Sequence, residues 1–238
     1  MLLDITPLKV SRDYRLLFIG QLVSFFGSMM TFIVVPWQMY ELTGSSAMVG
    51  YIYLAEFVPM LVLAVIGGAL ADFVEKRRLL RLTEFGQAAA SATLLANSLL
   101  ETPYVSVLFI CVAIHAGLAA IQRPAFESFI QKIIPPELIS SVMALNSIRW
   151  SIGAIISPAI AGIIAVKLGP SVAYALDLVT FGATIYAVYA VSAVPPPENA
   201  ERPSLDAIRK ALRYAKSRQE LLGTYFIDIF AMFFAMPQ

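Results

Sequence analysis

Six stretches of this chain read as apolar runs able to cross a bilayer, and the basic residues between them are sorted to alternate sides. The runs lie at about 16–40, 47–71, 79–100, 104–121, 144–166 and 171–194, each compatible with the ~20 residues a helix needs to cross. Of the seventeen Lys and Arg residues, Lys9, Arg12 and Arg15 precede the first run, and Lys76, Arg77, Arg78 and Arg81 follow the second. Arg123, Lys132 and Arg149 lie between the fourth run and the inner end of the fifth. Arg202, Arg209, Lys210, Arg213, Lys216 and Arg218 follow the sixth, and the alternate loops carry only Lys167. Cytoplasmic loops retain Lys and Arg, so the asymmetry predicts a cytoplasmic N-terminus. Backbone exposed to lipid must satisfy its own hydrogen bonds, so every run is expected to be a helix. The expected fold is all-α, a multi-pass protein of the cell (inner) membrane.

Composition agrees: 59% of residues are hydrophobic, 14% are charged, and the mean hydropathy is +0.77. Soluble domains carry roughly 25% charged residues. The net charge of +1 is sorted by side and gives no basic patch for a nucleic acid. One Cys (Cys111) and one His (His115) exclude a disulfide framework and a His/Cys-rich metal cage, and no metal or cofactor is expected. The same scarcity argues against a membrane enzyme, which needs clustered His, Asp or Cys. The first run is too long for a signal-peptide core and is retained as a span.

Short turns at 43–46, 101–103 and 167–170 join the runs on the uncharged side. Trp37, Tyr40, Tyr51, Tyr104 and Tyr174 mark that interface, and Tyr14 and Trp150 mark the basic one. The segment 123–137 is amphipathic and ends at Pro135-Pro136. Residues 1–194 are expected to form the bundle and 195–220 a linker with a basic amphipathic helix from Ser204. That helix either lies on an anionic leaflet or is an ordinary solvated connection. The apolar run from Leu221 reaches the chain end after about sixteen residues, fewer than the ~20 needed to cross. It reads as the start of a seventh span, 221–238, which predicts that the chain is the first portion of a longer protein.

The strongest local motif follows the second run: Gly68-Ala69-Leu70-Ala71-Asp72, then Lys76-Arg77-Arg78. Glycine permits close helix approach, and Asp72 at the membrane edge can accept charge-assisted hydrogen bonds. The competing reading is a helix stop followed by an ordinary basic loop. In the fifth run Gly153, Ser157 and Ala161 form a small-x-x-x-small ladder, with Pro158 and Gly162 beside it. This is either a generic packing face or a gating element.

Together these motifs resemble the major facilitator superfamily. Gly68, Asp72, Arg77 and Arg78 match its loop between spans two and three, although Phe73 replaces a usual basic residue and Glu75 a usual glycine. The fifth run is similar to the glycine-proline motif of its antiporters, with Ser157 and Ala161 in place of two glycines. Arg149, Ile156-Ser157-Pro158 and Pro195-Pro196-Pro197 resemble the enterobactin-exporter group of siderophore and drug efflux carriers. The Arg-containing motif of many proton-coupled drug exporters is absent, since Ala113 and Ala116 occupy its polar positions. The resemblance implies an N-terminal six-helix bundle that works with a C-terminal half.

Polar residues inside the hydrocarbon mark the candidate site. At about 100° per residue, Gln21, Ser24, Ser28, Thr31 and Gln38 share an arc of roughly 100°, which lines either a cavity or a helix contact. Glu56 sits in the body of the second run, where an ionised carboxylate is costly. It is a candidate proton or cation site, unless it reaches outer water. Asp177 is the reserve candidate for proton coupling, or else a structural hydrogen-bond acceptor. His115 either titrates or bridges two helices, and Arg149 pairs either with an anionic substrate or with Glu84.

The combined expectation is a secondary carrier that exports a small siderophore-like molecule by alternating access, driven by proton antiport. A multidrug or macrolide exporter competes within transport, and a non-transporting scaffold or sensor competes from another class. No phosphate-binding Gly-rich loop is present, which disfavours an ATP-driven pump.

Overall fold

The computed structural model describes residues 4–193, apart from the side chains at 65, 69 and 71–73. The expected linker and the start of the seventh span lie outside the described residues, as does the Asp72 side chain. A short helix α1 (Thr6–Val10) leads into six long ones: α2 (Arg12–Thr43), α3 (Ser46–Phe73), α4 (Lys76–Ser98), α5 (Val105–Ile133), α6 (Ile139–Leu168) and α7 (Pro170–Ala190). They correspond in order to the six apolar runs. Among the described residues there is no strand.

The helix ends follow from local chemistry. Ser11 caps α2 by accepting from the Tyr14 N–H at 3.2 Å. Gly44, at φ 63°, takes the left-handed conformation that ends it. Ser45 then caps α3. Glu75, the residue standing where the superfamily motif has glycine, caps α4 by accepting from the N–H groups of Arg77 and Arg78 at 3.0 and 2.9 Å. Asn97 and Tyr104 exchange two hydrogen bonds, 2.9 and 3.1 Å, across the turn from α4 to α5. Asp4 accepts from Ser141 at 2.6 Å and twice from Thr6, and these bonds lower its pKa to about 2. They tie the chain start to the foot of α6.

Two boundaries depart from the apolar runs. Helix α5 continues through the amphipathic segment to Ile133, and α6 begins at Ile139 rather than near 144. The reason is packing: Ala125, Phe126, Phe129 and Ile130 join Tyr14, Leu17, Leu79, Leu80, Val142 and Val188 in one buried cluster. Apolar burial there extends helix beyond the hydrocarbon-length run.

Helix α2 packs most closely on α7 and α3 on α5, while α4 joins α5 to α7 and α6 leans on α2. The sequence of neighbours is therefore α6, α2, α7, α4, α5, α3, with α3 and α6 at the two ends. Their exposure agrees, since 39% of the most apolar stretch of α2 is buried inside the protein but only 6% of that of α3. Among the described residues, five helices are long and apolar enough to cross a membrane. Helix α4 falls short because its buried face is polar, carrying Thr83, Glu84, Gln87, Ser91 and Asn97.

Glycines set the tightest seams. A Cβ at Gly27 would lie 2.1 Å from the Thr180 hydroxyl and 2.9 Å from the Asp177 Cα, and one at Gly20 would meet the Ala187 Cβ at 2.9 Å. In α3 it is Gly67 that closes on another backbone, where a Cβ would lie 2.7 Å from the Ile121 Cα, whereas Gly68 faces open space. Gly27→Ala should therefore cost about 1–3 kcal/mol through overpacking of the α2–α7 seam. Gly162→Ala, at a position open to 4 Å, should be near neutral. Thermal unfolding of the two variants in detergent checks this, and equal midpoints would contradict the packing described.

Candidate functional site

Two apolar clusters close the ends of the bundle, and the polar residues fall between them. At the basic end the cluster holds Tyr14, Leu17, Leu80, Phe129 and Val188; at the other end, Val34, Met39, Leu94, Leu108 and Tyr174. Between them come Ser24, Ser28 and Thr31 of α2, Glu56 of α3, Glu84, Gln87 and Ser91 of α4, Gln122 of α5, Arg149 of α6 and Asp177 of α7.

Asp177 is fully buried and accepts three hydroxyl hydrogen bonds. Ser28 donates at 3.2 Å and Thr31 at 2.7 Å, both from α2, and Ser91 donates at 2.7 Å from α4. A buried carboxylate with several donors is satisfied without a cation. The polar stripe of α2 thus divides. Ser28 and Thr31 bind Asp177, and Gln38 accepts from the Tyr174 hydroxyl at 2.6 Å. Gln21 turns the other way and accepts from the Arg149 Nη1 at 2.8 Å. Ser24, nearly buried, borders the space between these two sets.

Three neighbouring spaces that share lining residues lie in this layer. A cleft of about 740 Å³ lies between α2, α5 and α6 and is bordered by Gln21, Phe25, Gln122, Asn146, Arg149 and Trp150. A chamber of about 180 Å³ shares Gln21, Phe25, Gln122 and Arg149 with that cleft and adds Glu84, Gln87 and Ser28. A mostly apolar cavity of about 220 Å³ shares Ser28 and Gln87 with the chamber and contains Glu56, His115 and Cys111. Glu56 and His115 thus border one space, and the His115 ring stands edge-on to Phe181 with centroids 5.8 Å apart.

The expected pair between Arg149 and Glu84 is not formed. Arg149 holds Gln21 and lies over the Phe25 ring, 5.6 Å from its centroid. Glu84 instead accepts from the Gln122 amide, whose oxygen accepts from Gln87 at 2.7 Å. Among the described residues the ion pair present is the exposed Arg123–Glu127, 3.3 Å. The sequence reading passed over Gln87, Ser91 and Gln122 and treated Glu84 only as a partner. The usable signal was the low apolarity of the third run, which is too polar for a helix facing lipid alone.

The motif residues occupy two places. Arg77 donates through Nη2 to the Tyr189 carbonyl at 2.8 Å, and Arg81 stacks 4.2 Å over the Tyr189 ring. The start of α4 is thereby clamped to the last turn of α7, where carbonyls lack helical partners. Arg78 is exposed, and its backbone N–H serves the Glu75 cap. In α6, Gly153, Ser157 and Ala161 are all buried, Phe25 lies against Gly153, and Pro158 and Gly162 face outward.

A family model described as transmembrane secretion effector matches residues 4–236. The chain belongs to that family, within the major facilitator superfamily. Its members are transporters rather than enzymes. The chain is 23% identical over 216 residues to an enterobactin exporter of Citrobacter koseri, covering 91% of this chain and 52% of that protein. It is 22% identical over 213 residues to an enterobactin exporter of Escherichia coli, covering 90% and 51%. The chain thus spans about half the length of the curated relatives it matches. A solved peptide transporter in complex with sulfate superimposes with a TM-score of 0.66 at 15% identity, over 93% of this chain and 46% of that one. That likeness concerns the fold. This family member is a multi-pass membrane protein whose polar layer joins α2, α4 and α7.

Replacing Asp177 by Ala should strand the Ser28, Thr31 and Ser91 hydroxyls. The expected loss is about 1–3 kcal/mol of stability, read as a lowered unfolding midpoint in detergent. Asp177→Asn, which keeps acceptor capacity, should cost less. An alanine variant as stable as the parent would remove Asp177 from its central structural place.

Proposed function

We propose that this bundle is one half of a secondary carrier that exports a small siderophore-like organic molecule by alternating access, in exchange for protons. The carrying observation is the cleft around Arg149. A guanidinium with one amide partner, set beside Phe25, Trp150, Gln21 and Gln122, offers charge, aromatic contact and hydrogen bonds to an anionic aromatic molecule. The names of the exporters it resembles support the substrate class. Their greater length, with the exposed faces of α3 and α6, supports a second half rocking against this one around a midplane site. The sorted basic residues support a cytoplasmic N-terminus. Ser45→Cys should label from outside intact cells and Ser204→Cys should not.

A multidrug exporter is the second reading, and one observation favours it. The cavity containing Glu56 is mostly apolar, which suits an amphipathic cation more than an anion. Competition by a catecholate siderophore and by a cationic drug against the same efflux separates the two readings.

Within this proposal Glu56 is the coupling carboxyl and Asp177 the reserve. A group that exchanges a proton must ionise in one access state and reprotonate in the other. Glu56→Gln should abolish pH-driven efflux in vesicles from cells expressing the gene, yet preserve substrate exchange at equal pH. Wild-type efflux by both Glu56→Gln and Asp177→Asn would place coupling elsewhere. Asp72, Arg77 and Arg78 with Gly68 are proposed as an inner gate, so Asp72→Asn should slow transport and change substrate affinity only a few-fold. Gly153, Ser157, Pro158 and Gly162 are proposed as the bend and packing face on which α6 moves.

A further inference from the structure

We propose that Glu84 is a proton-binding site, standing between the cleft at Arg149 and the mostly apolar cavity at Glu56. The inference rests on the proton-coupling reading above and adds the route by which a proton reaches the middle of the bundle. Glu84 is only 3% exposed, and its Oε1 accepts from Gln122 while its Oε2 has no hydrogen-bond partner. That free oxygen belongs to a side chain bordering the chamber of about 180 Å³. The volume has room for several waters, each needing ~30 Å³.

The chamber is the middle member of the series. It shares Gln21, Gln122 and Arg149 with the cleft, and Ser28 and Gln87 with the cavity that contains Glu56. Gln87 donates to the Gln122 oxygen, which turns the Gln122 NH₂ towards Glu84. The amide is fixed as a donor, so Oε2 is left as the atom that takes or releases the proton.

Asp177 shows the contrast. Three hydroxyls satisfy it within the protein, whereas Glu84 has a single neutral amide. A lone buried carboxylate is poorly compensated, and a proton on Oε2 removes that charge. The charged and titratable groups around Glu84 are few. Helix α7 presents Asp177, α6 presents Arg149, and α5 carries His115 in the inner cavity with Arg123 and Glu127 at the cleft mouth. Helix α3 adds Glu56 beyond Gln87, and α2 offers only the neutral Gln21, Ser24 and Ser28. Arg149, in the same chamber but not paired with Glu84, is the cation that a deprotonated Glu84 would attract. Uptake of a proton at Oε2 frees Arg149 for the cleft, and its release draws Arg149 inward.

Infrared difference spectroscopy across pH steps on the chain reconstituted in lipid reads proton binding directly. The wild type should show a titrating protonated-carboxyl band that Glu84→Gln removes and Glu84→Asp restores. Glu56→Gln and Asp177→Asn should retain it. Gln122→Met keeps the carboxyl but deletes its donor, so the band should move to the frequency of a less hydrogen-bonded carbonyl. If Glu84→Gln removes no titrating band, or if Gln122→Met leaves the band that Glu84→Gln removes unshifted, the proposal is overturned. The measurement does not depend on transport. Efflux that proves independent of pH while the Glu84 band is present would fault the coupling reading and leave the site standing.

Discussion

A carboxylate in the middle of a membrane bundle needs donors from its neighbours, and Asp177 draws three hydroxyls from α2 and α4 onto α7. Those bonds fix the rotation of all three helices about their axes. Gly27 makes the arrangement possible, because any larger residue would occupy the place of Thr180 and the Asp177 backbone. The α2–α7 seam then continues through Gly20 against Ala187 and through the Thr184 hydroxyl donating to the Gly20 carbonyl at 3.1 Å. Between lipid-soluble helices there is little hydrophobic drive to associate. Close backbone packing and hydrogen bonds supply the specificity instead.

With α2, α4 and α7 locked, the remaining helices attach by different means. Helix α5 packs along α3 and α4 and carries Gln122 into the polar layer, while α6 rests on α2, with Gly153 against Phe25. The least buried helices, α3 and α6, also border the cleft or the inner cavity through Arg149 and Glu56. A site built where rigid and lightly held helices meet combines fixed chemistry with surfaces free to change partners. At the basic end, Arg77 and Arg81 hold the start of α4 against the end of α7, so the motif loop reports on the same locked core.

The number and type of elements were legible in sequence because hydrocarbon imposes one backbone solution. Turn chemistry at Gly44, Ser45 and Gly169 located the ends well. The exceptions were the extension of α5 to Ile133 and the early start of α6, where burial outside the hydrocarbon, not apolar length, decides. Asp177, Glu56, Gln21 and Arg149 could be picked out singly as polar groups among apolar ones. Their partners were less visible: Gln122 sits beside a basic segment, and Gln87 and Ser91 lie in a helix whose polarity reads as a weak span.

By itself the sequence determined an all-helical membrane bundle, the alternation of its charged loops and the presence of polar atoms in the hydrocarbon. Each of these follows from local transfer energies and from a helical period that needs no neighbour. The tertiary structure alone decided which polar atoms meet. Ser28 and Thr31 serve Asp177 while Gln21, on the same stripe, serves Arg149. Glu84 finds Gln122 rather than Arg149. Such pairings depend on the rotation and order of helices around the bundle, set by glycine contacts and hydrogen bonds between residues on different helices, from 38 to 149 positions apart in the pairs named, which no local period encodes.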